Sequence, residues 1–200
     1  MSVAGENATP HRPFILGLGG TMRPGSVTER ILRIALDAAE MLGAETALIG
    51  GAELQMPMYD PAETDFSPPA LRLVQLVRRC DGLIIASPGY HGTISGMIKN
   101  AIDHIEMLRE DSRPYLDGRA VGCLVSAHGW QATGTTLVAL RSIVHALRGW
   151  PTPFGAAINV TKPLFDDQGA CVDPEVRQQI ELVGRQVLEF ARMRGMHGHA

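Results

Sequence analysis

The sequence predicts an α/β fold, a doubly wound five-stranded parallel sheet with helices on both faces. Three observations predict it. Short apolar runs alternate along the chain with longer stretches of helical periodicity. One run, Gly82-Leu83-Ile84-Ile85-Ala86-Ser87, is apolar at every position that a pleated strand would turn to either face, as a strand in the middle of a parallel sheet must be. And 200 residues suffice for five such strand–helix units around one substantial core, with no internal repeat or domain linker to divide them.

The first strand is Phe14-Ile15-Leu16-Gly17-Leu18. It opens into a loop, Gly19 to Arg30, and then into a helix whose apolar positions Ile31, Ile34, Ala35, Ala38 and Leu42 share one face. Thr46 to Ile49 reads as the second strand. Gly50 to Pro69 is a long Pro-, Gly- and acid-rich connection, of the length that in compact domains is often functional. Ala70 to Cys80 reads as a helix and Gly82 to Ser87 as the third strand. Pro88 to Ser95 is the next loop, and Gly96 to Leu108 the next helix. Ala120 to Ser126 is the fourth strand, Ala127 to Gln131 its loop, and Thr133 to Leu147 a helix. Ala156 to Val160 is the fifth strand, and Pro174 to Met193 the closing helix, with Pro174 in its first turn. Five units of this length match the flavodoxin-like strand order 2-1-3-4-5. Residues 1–200 are expected to form one domain, with flexible tails at 1–13 and 194–200.

Composition narrows the function. The formal net charge is -3, with 45% hydrophobic and 20% charged residues. No basic stripe supports nucleic-acid binding, and no apolar run approaches the length of a membrane span. Cys80, Cys123 and Cys171 are odd in number and widely spaced, which suits neither a disulfide framework nor a metal site. Reduced thiols suit the cytoplasm, and Met1 to Pro13 lacks the apolar stretch of a signal peptide.

The first loop carries the clearest chemistry. A helix N-terminus presents unpaired N–H groups and a partial positive charge. Thr21, Ser26 and Thr28 add hydroxyls there and Arg23 a full cation, the components of a cradle for a terminal phosphate. Ser26-Val27-Thr28-Glu29 also fits a capping box, and the two roles are compatible. Met22 stands where G-x-G-x-x-G needs its third glycine, and no G-K-[ST] follows, so neither dinucleotide fingerprint nor P-loop is present. In open α/β sheets ligands bind beyond the carboxyl ends of the strands, which here means the loops Gly20 to Thr28, Pro88 to Ser95 and Ala127 to Gln131.

From Phe14 to Val160 the chain resembles the NADPH-dependent FMN reductase family. The resemblance rests on Gly20-Thr21-Met22-Arg23-Pro24-Gly25-Ser26, on Met56-Pro57-Met58-Tyr59-Asp60, and on Pro88-Gly89-Tyr90-His91 followed by Gly96-Met97-Ile98-Lys99-Asn100-Ala101-Ile102-Asp103. It implies FMN as cofactor and NADPH or NADH as hydride donor. It places the FMN phosphate on Thr21, Arg23, Ser26 and Thr28. It places the isoalloxazine and its pyrimidine edge along Pro88, Gly89, Tyr90 and His91, with Ser126, His128, Gly129 and Trp130 as the third flavin loop. Where the family commonly has Pro-Glu-Tyr-Asn this chain has Pro88-Gly89-Tyr90-His91, and its third loop is also atypical, which bears on substrate preference. Lys99, Asn100, Asp103 and His104 read as structural.

The resemblance implies an oxidoreductase that delivers electrons to a small acceptor such as free flavin, a quinone, an azo dye or a metal oxyanion. It also implies a homodimer or homotetramer, in keeping with Tyr59, Tyr90 and Trp130 near one rim. Two alternatives stand beside it. One is an FMN-dependent dehydrogenase or oxidase of a small metabolite, with His91 or His128 as base. The other is a flavodoxin-like electron carrier, against which the small net charge argues.

Overall fold

The computed structural model describes residues 11–196. A parallel sheet runs through the middle of the fold. Its strands are β1 (Phe14–Gly19), β2 (Glu45–Ile49), β3 (Gly82–Tyr90), β5 (Ala120–Ala127), β6 (Trp150–Pro151) and β7 (Ala156–Asn159), with a two-residue β4 (Thr93–Ile94) antiparallel to the end of β3. The order is β2-β1-β3-β5-β6, and β7 pairs further along β5. This is the expected flavodoxin-like order, with the fifth strand divided into β6 and β7.

The division has a local cause. Ala120 and Val121 pair with Trp150 and Pro151, whereas Leu124 pairs with Ala156. The fifth strand therefore carries two more residues than β5 between these points. Pro151 and Pro153 lie at the break, and proline cannot donate to a ladder. The Thr152 N–H still reaches β5, donating to the Val121 carbonyl, whereas the Phe154 N–H leaves the sheet and donates to the Gln186 side chain.

Period-two alternation sorts the strands onto two faces. Phe14, Leu16, Leu18, Leu83, Ile85, Val121, Cys123 and Val125 meet α2 (Pro68–Arg79), α3 (Gly96–Asp103) and α4 (Trp130–Ala146). Ile15, Ile84, Ala86, Ala120 and Leu124 meet α1 (Val27–Met41) and α5 (Pro174–Met196). Cys80 and Cys123 are wholly buried and act as small apolar fillers. Burial pushes their thiols up, to about 11 and about 12.

Several expected boundaries move. The helix after β3 stops being α-helical at Asp103 and continues to Leu108 as a 3₁₀ turn. The connection 50–69 contains a 3₁₀ turn, Gly51–Leu54. Its Met-Pro-x-Tyr stretch is tied down by Asn100, whose amide accepts from the Tyr59 N–H (2.8 Å) and donates to the carbonyls of Pro57 (3.0 Å) and Met56 (3.3 Å). His104 donates through Nδ1 to the Asn100 carbonyl (2.9 Å) and meets the Tyr59 ring edge-on. Lys99 pairs with Asp103 one turn on (2.7 Å). All four residues brace the fold, as the sequence suggests.

Of the flexible tails expected at 1–13 and 194–200, residues 11–13 and 194–196 are tied into the fold instead. His11 bonds Asp81 (3.0 Å), Arg12 bonds the carbonyls of Gly43 and Ala44, and α5 runs on to Met196. The remainder of both tails lies outside the described residues. Arg119 is a buried cation that the sequence does not announce. Its guanidinium donates to the carbonyls of Arg78 and Cys80 at the end of α2 and to those of Tyr115 and Asp117. The negative end of a helix thus receives a cation without a carboxylate partner. Among the described residues, no helix is long and apolar enough to cross a membrane.

Candidate functional site

A cleft of about 760 Å³ opens beyond the carboxyl ends of β1, β3, β5 and β7. This is the size of pocket that holds a cofactor. The first loop forms one wall. Ser26 caps α1, accepting from the Glu29 N–H (3.3 Å), so its hydroxyl proton remains available to a ligand. Glu29 completes the box imperfectly: it takes the Gly25 N–H (3.1 Å) and the Arg33 guanidinium (2.8 Å). Thr21 closes a small turn by accepting from the Arg23 N–H (3.1 Å). Thr28 is buried beneath the wall, and its hydroxyl lies 2.9 Å from that of Ser126. The first and third loops therefore share a hydroxyl pair that only the fold brings together.

The second loop is not a loop. β3 continues to Tyr90, and Gly89 and Tyr90 pair with Ile94 and Thr93 across a two-residue turn, His91-Gly92. Both turn residues have positive φ, 53° and 83°, the signature of a type I′ hairpin. Asparagine and glycine suit such turns best, and histidine also tolerates the left-handed region. His91 therefore fits a left-handed turn position at which the resemblance leads one to expect asparagine. Gly89 is fixed by close approach. A Cβ there would stand 2.8 Å from Thr136 Oγ1 and 3.0 Å from Ala127 Cβ. The buried Ser87 hydroxyl accepts from the Ser95 N–H (3.0 Å) and ties the base of the hairpin.

The third loop is shorter than expected because α4 begins at Trp130, three residues early. Gly129 is its N-cap, with no side-chain cap and no acid in the first turn. The Gly129 N–H is taken by Asn159 Oδ1 (3.1 Å), so it is not free to read a ligand carbonyl.

Of the sequence-predicted residues, the cleft brings together Thr21, Arg23, Ser26, Thr28, Pro88, Gly89, Tyr90, His91, Ser126 and His128. Gly129 and Trp130 are not among its walls. They line an adjoining open groove that also touches His91 and His128. Trp130 is 72% exposed there. Tyr59 is nowhere near this rim. It stacks on Phe66 and borders a groove between α3 and α4 with Asp103 and Glu106. Burial, reinforced by Glu106 and Asp103, holds its phenol above the ordinary range.

Sequence reasoning missed one wall. Val160, Pro163, Leu164 and Phe165, from the segment after β7, close the cleft, and Arg30 from α1 faces them. The Arg30 guanidinium lies 5.3 Å from the Phe165 ring centre and donates through Nε to the Gly25 carbonyl (3.0 Å). The helical spacing of Arg30 after Ser26 was a usable signal, since residues four apart share a face. Nothing local announces Phe165.

The cleft has a pronounced charge bias. Arg23, Arg30, His91 and His128 line it, and no aspartate or glutamate does. The chain holds 21 acidic residues, so their exclusion from this surface marks it for an anion. Hydroxyls, a helix N-terminus and two arginines, with Pro88 and Gly89 on the same cleft, fit a ligand with a phosphate and a flat ring.

The comparisons agree with this geometry. An NAD(P)H-dependent FMN reductase of Pseudomonas aeruginosa is 29% identical over 175 residues, covering 84% of this chain and 89% of its own. An FMN-dependent NADPH-azoreductase of Staphylococcus haemolyticus is 38% identical over 116 residues, 57% of this chain and 58% of its own. A solved NADH:FMN oxidoreductase superposes with a TM-score of 0.64 at 16% identity, covering 90% of this chain and 89% of that one, which establishes the shared fold. Residues 13–162 match the family model described as NADPH-dependent FMN reductase. The chain belongs to that family.

Proposed function

We infer that this protein is an FMN-dependent NAD(P)H oxidoreductase whose cleft holds the FMN phosphate against Thr21, Arg23, Ser26 and Thr28 and the ring along Pro88, Gly89, Tyr90 and His91. The observation that carries the site assignment is the pair of arginines in a cleft without a carboxylate. Two cations in one cavity repel each other, and a phosphate dianion relieves that repulsion. When bound, FMN supplies the hydride-accepting and electron-donating chemistry.

The residues of the chain bind and orient. Ser26 caps α1 and keeps a hydroxyl proton to donate. Thr28 and Ser126 hold each other beneath the cleft and fix the separation of its two walls. The hairpin at His91-Gly92 extends β3 so that Pro88 and Gly89 line the cleft from strand backbone, with no Cβ at Gly89. The first turn of α4 sets a partial positive charge beside the His128 end of the cleft. Hydride transfer needs alignment over the ring and no obligatory protein base, which fits a cleft lined by arginines, imidazoles and one phenol and by no carboxylate. Donor and acceptor then use one pocket in turn, with His128, Gly129 and Trp130 at its mouth.

A homodimer or homotetramer would cover the exposed Tyr90 and Trp130, which are 56% and 72% accessible in one copy. Three free thiols, two of them buried, suit a reducing cytoplasm.

The test is affinity for FMN against riboflavin. The wild type is expected to bind FMN far more tightly. Arg23→Ala should weaken FMN by about tenfold or more, because a charge-assisted hydrogen bond contributes roughly 1.5–3 kcal/mol. Equal affinity of the wild type for both flavins would overturn the phosphate assignment. Bleaching of the bound flavin by NADPH or NADH, measured in the same preparation, reports the reductase reaction, and parallel initial-rate lines report the shared pocket.

A further inference from the structure

We propose that Arg30, held against the ring of Phe165, is a second phosphate-binding cation that sets this protein's preference for phosphorylated over unphosphorylated flavin. The inference rests on the phosphate site proposed above and adds residues from outside its loop.

Three observations carry it. Arg30 lines the same cleft as Thr21, Arg23, Ser26 and Thr28, one helical turn past the N-cap. Its guanidinium is fixed on two sides. Nε donates to the Gly25 carbonyl at 3.0 Å, and the plate lies 5.3 Å from the centre of the Phe165 ring. Cation–π contact of this kind orients a guanidinium without consuming its N–H groups. Finally, no carboxylate lies within ion-pair distance of Arg30 among the described residues, whereas Arg33, one turn further along α1, pairs with Glu29. The terminal amino groups of Arg30 have no protein acceptor among the described residues. A rigid fork with its Nε already placed is suited to the two oxygens of a phosphate, and a lysine would not reproduce it.

Phe165 acts as a positioning residue. It belongs to the segment after β7, whose fold is set by a bridge between Phe165 and Cys171 and by Asp166, which accepts from the Gln168 and Ala170 N–H groups. Leu164 beside it is buried in the core, which anchors the aromatic ring at the cleft wall. The geometry joins the first turn of α1 and the segment after β7 at a single anion.

The experiment measures dissociation constants for FMN and for riboflavin by quenching of flavin fluorescence, in the full chain, for the wild type and for Arg30→Gln, Arg30→Lys and Phe165→Leu. Arg30→Gln is expected to weaken FMN by about tenfold while riboflavin affinity stays within about twofold, because only the phosphate contact is charge-assisted. Arg30→Lys should recover only part of that loss, since it restores the charge and not the plate. Phe165→Leu should cost about threefold for FMN, the size of a partly exposed cation–π contact. Combined with Arg30→Gln it should cost nothing more. Riboflavin binding shows in each case that the cleft is folded. If the wild type discriminates between the flavins and Arg30→Gln discriminates equally well, Arg30 is not a phosphate ligand, whatever becomes of Arg23. Full rescue by Arg30→Lys, or additive losses in the double variant, would refute the role given to Phe165. If the wild type shows no discrimination, the phosphate site itself fails, and this inference with it.

Discussion

Replacing Asn100 by alanine tests whether the Lys-Asn-Ala-x-Asp motif supports the fold or takes part in chemistry. The Asn100 side chain is buried, 5% exposed, and makes three hydrogen bonds to the backbone of Met56, Pro57 and Tyr59. A hydrogen bond of this kind contributes about 1 kcal/mol net, and a buried group left without its partner costs about 1–3 kcal/mol. The Pro57 carbonyl belongs to an exposed residue and is re-solvated when its partner goes. The Tyr59 N–H and the Met56 carbonyl are only partly so. Two to three such losses give about 2–3 kcal/mol of destabilisation for Asn100→Ala. In a chain of this length that corresponds to a fall in Tm of roughly 5–10 °C. The assay is urea unfolding followed by far-UV circular dichroism, read as a lower midpoint at unchanged slope. Because Asn100 does not line the cleft, FMN affinity should change little. Asn100→Asp adds a sign. It keeps the acceptor for Tyr59 but turns an ionised carboxylate toward two carbonyls, so its neutral form is favoured and its folded pKa rises. Whatever stability it retains is present at low pH and is lost as pH rises through that value. A loss below about 0.5 kcal/mol for Asn100→Ala, or a stable variant with abolished flavin reduction, would refute the bracing role.

Three further outcomes are expected. Gly89→Ala should destabilise by about 1–3 kcal/mol and weaken FMN, since its Cβ meets Thr136 and Ala127 and forces α4 away from the hairpin; crystals of a variant with unmoved α4 would contradict this. His91→Asn keeps a turn residue that accepts positive φ, so stability should hold and flavin reduction by NAD(P)H should fall no more than several-fold, whereas a general base for metabolite oxidation would cost that reaction about 10²–10⁴. The thiols of Cys80 and Cys123 are raised to about 11 and about 12 from 9.0, so their contribution is complete below about pH 9 and is lost as pH rises toward the folded values. Each thiol removes up to about 1.4 kcal/mol per pH unit in that window. Urea midpoints at pH 8 and pH 10 should therefore separate less in a Cys80→Ala, Cys123→Ala double variant than in the wild type, and an equal separation would count against it.

The sequence by itself determined the parallel sheet, its order and the end at which the site lies. Strands buried on both faces must be continuously apolar, so Gly82–Ser87 names itself, and the phosphate cradle proposed at the N-terminus of α1 is local in sequence from Thr21 to Thr28. Tertiary structure alone decided what these pieces meet. Period and propensity say nothing about the Thr28–Ser126 hydroxyl pair, 98 residues apart, or about Phe165 coming to rest on Arg30. The hairpin at His91 was hidden because its turn holds a histidine where asparagine is the usual signal. Trp130 lies outside the cleft because α4 starts at the N-cap Gly129, a boundary that no capping side chain marks. Arg119 is buried because four backbone carbonyls converge on it from segments up to 41 residues away, and convergence of that kind is a property of the fold and not of any window of the chain.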